Sequence, residues 1–193
     1  MGADTKTRLM DTTAQLFMRQ GYNGTGVKQI VTEAGAPFAS LYHFFPGGKE
    51  ELGAEVIRRS GALYGLLWLE VVRPERDIAT GVRKFFEGAA QHLVETDYAD
   101  ACPIATVSLE VSSVSEPLRE ACHDVFELWL HGATEDFVRA GLSKRKARDL
   151  AITFVALIEG GFLLARAAKS TEAMKACGKL AERAVRDALA AAA

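Results

Sequence analysis

Apolar positions recur at helical spacing along the whole chain, and no stretch alternates with a period of two between turn residues. Between Thr5 and Gln20, Leu9, Leu16 and Phe17 recur around Thr12, Thr13 and Ala14, and Gly21 is placed to stop that helix. Past the loop Tyr22 to Thr25, Val27, Ile30, Val31 and Ala34 follow the i, i+3, i+4, i+7 pattern of a short amphipathic helix. Gly35 can take the positive φ of a tight turn, and Pro37 suits the first turn of a third helix reaching Phe44. Pro46, Gly47 and Gly48 end it before a fourth segment from Lys49 to about Val72, roughly 35 Å long as a helix.

Pro74 marks the next break. The pattern predicts a fifth helix from Asp77 to about Thr96, with Ile78, Val82, Phe85, Phe86, Ala89 and Leu93 on its buried side. A loop from Asp97 to Pro103 follows, then a short apolar helix from Ile104 to Val114 and a longer one from Leu118 to Ala140, closed by Gly141. Two last helices run from Ser143, a candidate cap, to about Ala168, and from Thr171 to the alanine-rich end. The expected fold is all-α: a three-helix head over residues 1–49, joined by the long fourth helix to a helical body over residues 50–193.

Composition agrees with a globular protein. Of 193 residues, 49% are apolar and 25% charged, enough for a substantial core, which excludes intrinsic disorder and a fibrous class. Charges at Asp4, Lys6, Arg8, Asp11 and Arg19 leave no apolar core for a secretory signal, so a cytoplasmic protein is expected. The apolar stretch Ala151 to Ala168 is interrupted by Glu159 and Arg166 and reads as a buried helix, with no membrane partner. Cys102, Cys122 and Cys177 are odd in number and widely spaced, which favours reduced thiols over a disulfide framework or a zinc site. No metal or cofactor is expected.

Charge is distributed unevenly. The first 49 residues carry a net +2 and the remainder −4, within a total of −2. That is far from the basic stripe of an obligate nucleic-acid binder, so a local motif has to carry any such function.

Residues 26 to 45 supply the motif. Helix, glycine turn and helix is the layout that sets one short helix into the major groove while its predecessor braces it across the backbone. Leu41 and Phe45 lie four apart, so one face can pack on Leu16, Phe17 and Ile30 while Ser40, Tyr42 and His43 point outward. Their hydroxyl, phenol and imidazole donors suit phosphate oxygens, and Lys49 adds a cation at the start of the next helix.

Residues 4 to about 60 resemble the TetR family of bacterial transcriptional repressors. The resemblance is carried by Ala14, Leu16, Phe17, Gly21, Tyr22, Thr25, Val27, Ile30, Ala34, Gly35, Leu41, Tyr42, Phe45 and Lys49 at fixed intervals. Cys102 to Val107 and Leu157 to Arg166 further resemble the LmrA/YxaF-like subgroup. What the resemblance implies is a homodimer whose head, residues 1–49, binds a palindromic double-stranded operator and whose body, residues 50–193, dimerises and binds a small inducer. For the subgroup it implies aromatic, antibiotic or flavonoid-like ligands.

The DNA-binding candidates are Thr25, Gly26, Lys28, Pro37, Phe38, Ala39, Ser40, Tyr42, His43 and Lys49. Two of them depart from the family pattern. Gly26 stands where Ser or Thr usually caps the second helix, with Thr25 as a substitute, and Phe38 stands where a Lys or Arg is common. An aromatic or alanine side chain there suits thymine methyl groups, so an operator with A·T pairs at those positions is expected.

The inducer-pocket candidates are Leu63, Leu67, Phe85, His92, Cys102, Phe126, Trp129, Phe154, Ile158 and Glu159. The dimer-face candidates are Phe154, Leu157, Gly160, Gly161, Leu164, Leu180 and Ala184, the glycines allowing close approach. An enzyme is disfavoured. Cys122 and His123 are adjacent and point to different helix faces, and no GxGxxG, P-loop, HExxH or GxSxG motif is present. Two alternatives stay open: a helical protein-interaction adaptor without DNA binding, and a thiol redox sensor acting through Cys102.

Overall fold

The computed structural model describes residues 2–192, with side chains from Asp4 onward. Among them are nine helices: α1 (Gly2–Gln20), α2 (Val27–Glu33), α3 (Phe38–Phe44), α4 (Gly48–Val71), α5 (Ile78–Glu95), α6 (Pro103–Val111), α7 (Glu116–Arg139), α8 (Lys144–Ala168) and α9 (Glu172–Ala190). The all-α expectation holds, and most boundaries fall within one or two residues of the predicted ones.

Local chemistry explains the ends. Gly21, at φ +73°, donates its amide to the Phe17 carbonyl and closes α1. Asp77 caps α5, accepting from the Ala79 amide at 3.2 Å and the Thr80 hydroxyl at 2.6 Å. The Thr80 hydrogen bond, aided by the Ala79 amide and Arg186, holds the Asp77 carboxyl below its ordinary pKa. Ser143 caps α8, as predicted, by accepting from the Lys146 amide. The sixth helix is shorter than expected, ending at Val111 rather than Val114. Ser112 turns its hydroxyl back to the Ser108 carbonyl at 2.6 Å, and Ser115 donates its amide to Val111.

Two compact units divide the chain. One comprises residues 1–62 and 102–126, the other residues 63–101 and 127–193, so α4 and α7 each contribute to both. Packing compactness therefore follows a different line from the 1–49 and 50–193 division read from the sequence.

The first unit is built on Leu9, Phe17, Ile30, Leu41, Phe45, Leu52 and Ile57, all essentially inaccessible to water. Fully burying such side chains contributes roughly 1.5–3 kcal/mol each before entropy is counted. Polar links tie α1 to its neighbours. Arg8 donates Nε to the Ala34 carbonyl at 3.0 Å, where the C-terminal end of α2 favours a cation. Lys6 pairs with Glu55 at 2.9 Å and Arg59 with Asp11 at 2.8 Å, joining α1 to α4.

The second unit packs α5 against α8 and α9. Phe154 meets Trp68, Phe85 and Phe86 at centroid distances of 4.9, 5.4 and 5.5 Å in edge-to-face geometry. Trp68 donates its indole N–H to buried Asp136 at 2.7 Å, and Arg73 and Arg139 pair with the same carboxylate. α8 is long and apolar enough by length and composition to cross a membrane, but Ala147, Ala151, Phe154, Ile158, Gly161 and Ala165 are buried in the fold. Only that face is buried, however: Ile152, Leu163 and Leu164 are exposed, so α8 is not the buried helix expected from the sequence.

Candidate nucleic-acid interface

The recognition hairpin is held from one side. Leu41 and Phe45 are completely buried, as are Phe17 and Ile30, while Leu16 is nearly so. The opposite side of α3 is open: Phe38 is 54% and Tyr42 47% exposed, and Pro37, Ala39 and His43 are exposed with them. Ser40 is half-buried. Pro37 is the N-cap, and the Ser40 amide donates to its carbonyl at 2.9 Å.

Aromatic contacts fix the exposed face. Phe38 and Tyr42 lie one turn apart with ring centroids at 5.7 Å, and His43 meets Phe44 edge-on at 4.9 Å. Gly48, at φ +68°, is needed behind them, because a Cβ there would stand 3.3 Å from the Tyr42 ring. α2 begins at Gly26 with extended backbone and no side-chain cap, and Lys28 is exposed on its first turn.

Two predicted contact residues are placed otherwise. Thr25 does not substitute as the cap or reach the surface: it is fully buried and donates its hydroxyl to the Gly21 carbonyl at 2.6 Å. Closing the α1–α2 turn takes the group that a phosphate contact would need. Lys49 is half-buried, its Nζ 3.9 Å from the centroid of the Tyr22 ring. Desolvation lowers its pKa, and the nearby Glu110 charge opposes that shift. The start of α4 is also acidic. Glu51 already accepts the Gly47 amide at 2.7 Å, and Glu50 accepts the Ser115 hydroxyl at 2.6 Å.

A polar relay was not foreseen. Gln20 donates to Gln29 at 2.8 Å, and Gln29 donates to Glu33 at 2.9 Å, lacing the end of α1 to α2. The second link was legible as an i, i+4 pair, but the first depends on the helix crossing.

The pocket candidates separate. Phe85 and Phe154 meet each other and Trp68 in the aromatic core, and Ile158 is buried in the same cluster. Leu63 and Leu67 lie on an exposed face of α4, and Trp129 packs near Gly65. His92 is exposed, 3.8 Å from the Asp100 carboxylate. Glu159 is half-buried on α8. Phe126 and Cys102 belong to the first unit, both half-buried, with Cys102 as N-cap of α6 accepting the Ala105 amide through Sγ at 3.5 Å.

Among the dimer-face candidates, Phe154 and Gly161 face inward. A Cβ on Gly161 would stand 3.1 Å from the Met174 sulfur, so its closeness serves α8–α9 packing within the chain. Leu164 and Leu180 are exposed, Gly160 has open space before it, and Leu157 and Ala184 are half-buried.

Comparison with known proteins accounts for this arrangement. Residues 9–56 match the model of "Bacterial regulatory proteins, tetR family", and residues 79–180 match that of "Transcriptional regulator LmrA/YxaF-like, C-terminal domain". The HTH-type transcriptional regulator LmrA of Bacillus subtilis is 34% identical over 87% of this chain and 89% of its own. YxaF of the same organism, also an HTH-type transcriptional regulator, is 34% identical over 83% and 84%. In fold, a TetR transcriptional regulator from Legionella pneumophila superposes with a TM-score of 0.81 at 21% identity, over 91% of this chain and 94% of that one. The matched families are regulators rather than enzymes. With its buried-backed recognition hairpin and matches along most of its length, the chain belongs to the TetR family of bacterial transcriptional regulators.

Proposed function

We propose that this protein is a cytoplasmic homodimeric repressor that holds a palindromic operator with two copies of α3 and releases it when a small apolar or aromatic inducer binds its second unit. The observation that carries the operator-reading part is the division of α3. Leu41 and Phe45 are fully buried, while Phe38, Ala39, Tyr42 and His43 stand exposed on the other side. Phe38 and Ala39 offer apolar surface to thymine methyl groups, and Tyr42 and His43 offer donors to phosphate oxygens. Lys28 and the bare α2 N-terminus at Gly26 supply backbone contacts beside them.

Dimerisation through α8 and α9 fits the exposed Leu163, Leu164 and Leu180 and the open face at Gly160. Two recognition helices in successive major grooves must stand about 34–36 Å apart, so the dimer works as a ruler. An inducer that changes this spacing needs a coupling of only about 1–3 kcal/mol to shift operator affinity roughly 5- to 150-fold, and the operator weakens the inducer by the same factor. The aromatic surroundings of Phe85 and Phe154 support an apolar ligand. Repression is supported by the distant relatives NemR of Escherichia coli and DhaR of a Mycobacterium, each described as an HTH-type transcriptional repressor.

The test is selection of genomic fragments by the purified protein at fixed salt, followed by footprinting. An enriched palindrome protected over two half-sites is expected. Absence of any enriched site sinks the reading.

A further inference from the structure

We propose that Glu110 of α6 is a positioning residue for operator binding, fixing the α1–α2 turn from which α2 and α3 are hung. Its carboxylate holds the turn through one hydrogen bond and lies against Gly21. Oε2 accepts the Asn23 amide at 2.6 Å, and Oε1 occupies the space a side chain at residue 21 would fill. Gly21 is required by its φ of +73°, and any side chain there would also push the Glu110 carboxylate off the turn.

The turn otherwise satisfies itself internally. The Thr25 amide donates to the Tyr22 carbonyl at 3.1 Å, and the Thr25 hydroxyl to the Gly21 carbonyl at 2.6 Å. α2 starts at Gly26 without a side-chain cap, so its N-terminus takes its direction from the turn. Tyr22 lies between the residues that Glu110 touches. It packs on Phe17 at 5.7 Å and carries Lys49 on its other side, which links the same anchor to the start of α4. The Glu110 charge also acts on Lys49, opposing the downward pKa shift caused by burial.

α6 follows directly on the loop 97–101, whose carbonyls at Tyr98 and Ala99 accept from Arg166 of α8 at 3.2 and 3.0 Å. Glu110 touches neither operator nor inducer in this role. It acts through the Asn23 amide.

The experiment compares full-length wild type, Glu110→Ala and Glu110→Gln on a duplex carrying the site selected by the wild type, with salt titrations and thermal melts. Gln keeps an acceptor oxygen for the Asn23 amide, so its operator affinity is expected to stay within about threefold of wild type, while Ala loses about tenfold or more. Neither changes the salt slope, because Glu110 neutralises no phosphate. Asn23 amide exchange should quicken in the Ala variant alone. Should Glu110→Ala fail to fold, Glu110→Met, of similar length and without a carboxylate acceptor, takes its place. Wild-type affinity in the acceptor-free variant, or equal weakening of Gln and Ala, overturns the proposal.

Discussion

Phe38 and Tyr42 lie against each other on the exposed side of α3, with ring centroids 5.7 Å apart and planes tilted by 48°. Between them they keep a large apolar surface in water on a helix whose other side is fully buried. Under the function proposed above, the base edges of the operator would cover that surface.

Replacing Phe38 with Ala is therefore expected to relax base preference rather than to weaken all binding. Discrimination should fall by about 1–3 kcal/mol at the pairs that Phe38 faces, with an unchanged salt slope. Competition between the selected site and variants at each A·T pair measures it. Identical preference in the two proteins removes the thymine-methyl role.

Lys28 should behave in the opposite way. It is exposed on the first turn of α2, and its replacement by Ala is expected to weaken all duplexes alike and to lower the magnitude of the salt slope by about 0.9. A slope equal to that of the wild type means that Lys28 contacts no phosphate.

Asp136 sets the stability of the second unit. It is buried and accepts the Trp68 indole N–H at 2.7 Å, so Asp136→Ala leaves that donor without its acceptor. A loss of about 3 kcal/mol in urea unfolding is expected, and a smaller one for Asp136→Asn, which keeps an oxygen for Trp68. The arginine partners, being substantially solvated, contribute little to the difference. Equal losses from Ala and Asn would contradict the role of the indole bond.

Cys122 gives a pH signature. Its thiol is buried and donates to the Ile104 carbonyl at 3.8 Å, and desolvation pushes its pKa from 9.0 up to about 11. Burial favours the neutral thiol, so this contribution is full below pH 9 and is lost as pH rises toward about 11. By pH 11 the expected loss is about 2 kcal/mol relative to Cys122→Ala, which has no such titration. Denaturant midpoints of both proteins between pH 8 and 11 test it. Parallel curves rule it out.

The helices were legible because each carries its own 3.6-residue period and its own stop. Gly21, Pro74 and Gly141 fall at breaks between observed helices, and Ser143 caps α8. The outward placement of Tyr42 and His43 was legible too, from Leu41 and Phe45 at i, i+4, whereas Ser40, expected beside them, is half-buried. What sequence could not give was the use of polar groups between helices distant in the chain. Thr25 read as a surface cap, but its hydroxyl closes the turn, and Lys49 read as a phosphate contact, but it lies on Tyr22. Glu110 meets Asn23 across 87 positions, and no local pattern marks that partnership.

The most direct test of the central claim is operator affinity with Tyr42→Phe and His43→Ala combined. The Phe ring keeps the packing against Gly48, so the fold is preserved while the exposed phenol and imidazole donors are removed. At fixed salt, a loss of about tenfold or more on the selected operator, with an unchanged melting temperature, is predicted. Wild-type affinity in that variant would contradict the assignment of the outer face of α3 as the DNA-reading surface.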